Sequence, residues 1–160
     1  KPKFIGEALA DSLRAPLSKL VMKDSIDFAS ITMKIPMPEF HIRLTPEVNL
    51  STMLSEQLLP FQGDIYLQAV RLGNMIWITT PCDFSSEFAM QLKNSLTVQG
   101  FNANVSSFNG GYVGYIVPGK YFYLDEYEPK SMGWFGPNMG EYTMDLIRQI
   151  TRKITGKDNI

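Results

Sequence analysis

Between Phe4 and about Val21, apolar side chains fall at Phe4, Ile5, Ala8, Leu9, Leu13, Leu17 and Leu20. That is helical spacing, and it predicts an amphipathic helix that Pro16 should kink or end. The period then changes. Ile31, Met33 and Ile35 alternate with Ser30, Thr32 and Lys34, which predicts a strand over 27–35 with one face covered, closed by Pro36 and Pro38. Residues 36–63 are proline-bearing and aperiodic, so a long irregular connection is expected there, with a short helix near 50–58. The arms IYLQAVRL and MIWITT flank Gly73 and Asn74, a pair suited to a tight hairpin turn. Met75 to Ile78 is continuously apolar, the pattern of a central strand covered on both faces. A helix over 85–96 follows, carried by Phe88, Ala89, Leu92 and Leu96, and then a strand over 101–108. Pro137 can open a last helix with the stripe Met144, Leu146, Ile147, Ile150 and Ile154, which Gly156 stops. The succession strand, helix, strand predicts an α/β fold, a mixed sheet with flanking helices, rather than an all-β one.

Composition adds limits. With 160 residues, 44% hydrophobic and 19% charged, the chain is sized for a single domain over residues 1–160 with its own core. A formal charge of −1 provides no basic footprint, so nucleic acid and anionic membrane surfaces are disfavoured partners. One cysteine and one histidine allow no internal disulfide and are too few for a Cys/His zinc site. No apolar run approaches the ~20 residues of a membrane-spanning helix. Because the chain starts at Lys1, it is expected to be a piece of something longer.

Candidate chemistry gathers in three stretches. In TTPCDFSSEF, residues 79–88, a strand runs into a proline, the only cysteine and an aspartate just before a helix, at the strand end where ligands of open α/β sheets bind. Asp83 can cap that helix and complement its dipole, or point into a cleft as metal ligand or general base. Cys82 at a helix N-terminus can be a nucleophile with His41 as base, or a small buried hydrophobe. The second stretch, FNGGYVGYIVPGKYFYLDEYEP, holds glycines around Tyr112 and Tyr115, which can present hydroxyls where backbone passes close to something, or simply pack in a glycine-rich turn. In the third, MGWFGPNMGEYTMDLI, Trp134 and Phe135 read as packing anchors ahead of a helix start.

Taken in order, these segments resemble the C-terminal part of the catalytic domain of the neutral ceramidase family. FIGEALADSL is similar to the helix preceding this region in the family, and LPFQGDIYLQAVRLGNMIWITTPCDF resembles its strand pair ending in a Pro-Gly-Glu-Phe turn. GYVGYIV looks like its Tyr-x-Gly-Tyr segment, and EYEP with FGPNMGEY resembles its Tyr-Glu and Phe-Gly-Pro signature. The resemblance implies a zinc amidase that cuts the N-acyl bond of ceramide into sphingosine and a fatty acid. It implies that the zinc-binding histidines and a catalytic serine lie in an N-terminal half outside this sequence, so that this chain alone is inactive. By position Asp83 takes the place of the family's glutamate and Tyr112 that of its tyrosine, both as metal ligands. The family is secreted, periplasmic or cell-surface, which implies an extracytoplasmic location. The turn here reads Pro81-Cys82-Asp83-Phe84, with a carboxylate arm one methylene shorter and a cysteine for glycine. Such changes also suit a degenerate member that keeps the fold as a lipid-binding or interaction module.

Overall fold

A computed structural model describes residues 2–60 and 63–156. Its order is α1 (Pro2–Leu17), β1 (Phe28–Lys34), α2 (Thr52–Leu58), β2 (Tyr66–Leu72), β3 (Met75–Thr79), β4 (Asp83–Phe84), α3 (Ser86–Val98), β5 (Asn102–Ser106), β6 (Tyr115–Ile116), α4 (Tyr127–Met132) and α5 (Met139–Thr155). The fold is α/β with a mixed sheet. Its four main strands lie in the order β1-β2-β3-β5, antiparallel from β1 to β3 and parallel between β3 and β5, where α3 makes the crossover. The hairpin forms where expected: Gly73 takes φ 60°, and Leu72 pairs with Met75 across the two-residue turn.

Helices α3 and α5 cover one face of this sheet. Phe88, Leu92 and Leu96 of α3 and Met144, Leu146, Ile147, Ile150 and Ile154 of α5 are buried there against Leu67, Ala69, Ile76 and Ile78. Burial of one such side chain contributes about 2 kcal/mol, so α5 is the main anchor of the core. Gly156 ends it in the left-handed conformation, φ 66°, as the sequence predicts.

One expectation needs correction. β3 is central in the strand order but covered on one face only. Trp77 is 42% exposed on the other face, where its indole N–H donates to Ser106 Oγ at 2.7 Å. A tryptophan in an otherwise apolar run satisfies both environments, which local hydrophobicity does not distinguish. The first helix does form, and Pro16 ends it one residue later, but none of its residues is buried. Its stripe from Phe4 to Leu17 lies open.

Candidate functional site

The turn after β3 is built by backbone pairing across the sequence. Thr80 N–H donates to Ser106 O at 2.9 Å, Asn109 N–H to Thr80 O at 2.9 Å, Val113 N–H to Pro81 O at 2.8 Å and Asp83 N–H to Gly114 O at 2.9 Å. β4 then pairs with β6 in parallel, Asp83 opposite Tyr115 and Phe84 opposite Ile116. The glycine-rich loop carrying Tyr112 is thereby stitched to the turn carrying Asp83. Gly114 makes this approach possible: its φ is 76°, and a Cβ there would strike the Met132 carbonyl.

A cleft of about 520 Å³ opens beside the turn, lined by Asp83, Phe84, Tyr115, Tyr121, Leu124 and Glu128 among others. Its far wall is the segment from Phe122 to Pro129, in which every residue between those two is exposed. Tyr115 and Tyr127 meet edge to face, ring centroids 5.9 Å apart. Asp83 is half-buried, and among the described residues its carboxylate makes no hydrogen bond or ion pair. The Tyr112 and Tyr115 phenols are both pushed up from their ordinary value, chiefly by burial and then by the Asp83 charge. The Tyr112 ring is held between Phe108, stacked at 5.8 Å, and the edge of Trp134 at 6.2 Å, and its hydroxyl reaches Met132 Sδ at 3.6 Å.

The architecture has relatives among solved structures. It is similar to neutral ceramidase from Pseudomonas aeruginosa, with a TM-score of 0.58 and 12% identity over 82% of this chain and 29% of that one. It is also similar to a ceramidase complexed with C2, with a TM-score of 0.55 and 10% identity over 75% of this chain and 29% of that one. At such identities the likeness is one of fold, and the chain spans less than a third of the length of either structure. No family model matches the chain, and no curated protein matches it in sequence.

Within this ceramidase-like fold the sequence-derived candidates separate. Asp83 is not the cap of α3: it belongs to β4, and Ser85 stands at the N-cap position. Cys82 has no exposed surface and is part of the hydrophobic core. Burial pushes its thiol up to about 12; a hydrogen bond with Thr80 opposes this only in part. That is the opposite of an activated thiolate. His41 is engaged in its own loop, Nδ1 at 3.1 Å from Leu50 O and Nε2 at 3.5 Å from Glu39. The cysteine does not strain the turn either, because Phe108 is the only described non-glycine residue with positive φ.

Zinc can be tested against the donors present. Asp83 and Tyr112 are brought onto neighbouring backbone, yet no group of three His, Cys, Asp or Glu side chains among the described residues is arranged to hold a metal. On their own these residues do not fit a zinc ion, which needs three or four protein ligands. Sequence reasoning missed Tyr121, Leu124 and Glu128 as cleft residues, although all three lie in the stretch FNGGYVGYIVPGKYFYLDEYEP.

Proposed function

We propose that residues 1–160 are the C-terminal portion of a ceramidase-like catalytic domain, and that the complete protein hydrolyses the N-acyl bond of ceramide or a related lipid to a long-chain base and a fatty acid. The observation that carries this reading is the uncommitted Asp83 carboxylate, set at a strand end beside an aromatic-walled cleft and tied by backbone hydrogen bonds to the Tyr112 loop. The likeness of the fold to neutral ceramidase supports the choice of reaction. Phe84, Tyr115, Tyr121 and Leu124 offer apolar surface for a lipid chain. In this reading Asp83 and Tyr112 are the two oxygen donors that this chain contributes to a zinc site, with the histidines and the serine coming from an N-terminal half. The chain alone is then inactive, and the whole protein acts outside the cytoplasm.

A second reading, a lipid-binding or interaction module without turnover, is favoured by one observation. Cys82 fills core space where the resembled turn has glycine, and Asp83 has the shorter arm. Zinc–oxygen contacts lie at about 2.0–2.2 Å, so a carboxylate one methylene short has to be compensated by backbone movement. The test is zinc content by elemental analysis, with turnover of a fluorescent N-acyl sphingosine, for the full-length protein and Asp83→Ala. Stoichiometric zinc and hydrolysis, both lost in the variant, are expected. A wild-type protein that binds the lipid but holds no zinc and releases no fatty acid would leave the second reading standing instead.

A further inference from the structure

One wall of the cleft that Asp83 lines is a stretch of chain exposed along most of its length. From Tyr123 to Glu128 every residue is exposed between two buried ends, Phe122 and Pro129, and the contacts made from within it include the edge-to-face meeting of Tyr127 with Tyr115 and the pairing of Asp125 with Lys130. Both ends converge on one side chain. Arg43, buried and coming from the irregular connection far back in sequence, donates from Nη1 to Phe122 O at 2.8 Å and to Pro129 O at 2.6 Å. Its Nη2 donates to Pro46 O at 2.8 Å, and its guanidinium lies 3.9 Å over the Phe122 ring. Nε is buried without a hydrogen-bond partner. A buried guanidinium whose hydrogen bonds all go to carbonyls, with Tyr123 and Glu47 acting on it only through charge, is a costly arrangement, and its two terminal nitrogens reach three carbonyls at once.

We infer that Arg43 is a positioning residue for the cleft: by clamping both ends of the segment from Phe122 to Pro129 it sets where Leu124, Glu126 and Glu128 stand relative to Asp83. Arg43 does not line the cleft and acts through the wall it holds. Its connection to catalysis rests on the functional reading above; the clamp itself does not.

The experiment uses the full-length protein with Arg43→Met and Arg43→Lys, the lysine variant retaining a donor in case the methionine variant, which leaves three carbonyls unpaired, fails to fold. Two readouts are combined. Hydrogen exchange is followed at the amides of Phe122, Leu124 and Lys130, which bond to the carbonyls of Gly119, Tyr121 and Glu126 at the two ends of the segment, against those of α3 and α5. Kinetics are followed with the fluorescent N-acyl sphingosine. Loss of the clamp is expected to lower protection locally by about tenfold or more, with α3 and α5 unchanged, and to raise KM several-fold with a smaller change in kcat, lysine lying between. Unchanged exchange over 122–130, or an equal loss throughout α3 and α5, overturns the inference, since the first shows no clamp and the second a general stabilising role. If the wild-type protein does not cleave the lipid, the functional reading fails, and the exchange data alone decide for or against the clamp.

Discussion

At the scale of single residues, adjacent positions in one turn have opposite fates. Cys82 and Asp83 follow each other in the turn between β3 and β4, yet the thiol is in the core and the carboxylate is free at the cleft. Cys82 lies in the bend and Asp83 opens β4, and their surroundings differ, so one substitution in this turn tunes packing while its neighbour tunes chemistry. A buried thiol whose thiolate is disfavoured should resist alkylation. Iodoacetamide at neutral pH is therefore expected to leave Cys82 unmodified in the folded protein and to label it only in denaturant, as read by intact mass. Labelling of the native protein at the rate of a free thiol would contradict the burial and reopen a role for Cys82 as nucleophile.

At the scale of elements, the cleft depends on two strands of two residues each. β4 and β6 hold the Asp83 turn and the Tyr112 loop together, and Gly114 sits at their junction against the Met132 carbonyl. Gly114→Ala forces a side chain into a left-handed backbone, costing about 1–2 kcal/mol before the clash with the carbonyl is counted. A melting temperature lower by on the order of 5 °C is expected from calorimetry, with Asp83 displaced from Tyr112. A variant that melts like the parent would mean that the loop has another conformation. This junction was hidden in the sequence for a physical reason. Two residues show no period, and β4 pairs with a partner some thirty positions away, so the stretch from 83 to 86 looked like a helix start with its aspartate cap. Arg43 was invisible on the same ground, its partners lying 79 and 86 residues downstream. The hairpin at Gly73-Asn74 and α5 were legible because their signals are local: a turn that needs φ > 0 in one case, and a long apolar stripe with a glycine stop in the other.

At the scale of the whole molecule, the two longest helices have unequal roles. α5 buries its apolar stripe in the core, whereas α1 buries nothing while displaying Phe4, Ile5, Leu9, Leu13 and Leu17 in one row. Apolar area that is not removed from water in the folded state adds nothing to stability, yet a contiguous exposed row of this kind promotes association. Replacing Leu9 and Leu13 together by lysine therefore separates the two effects. The melting temperature of the 160-residue chain should stay within about 2 °C of the parent, because substitutions at exposed positions cost little. Its sedimentation should shift from associated species toward the monomer as the stripe is interrupted. A drop in melting temperature comparable to that of a core substitution, with no change in association, would show that α1 packs on the sheet and that the exposed stripe is not a feature of the protein in solution.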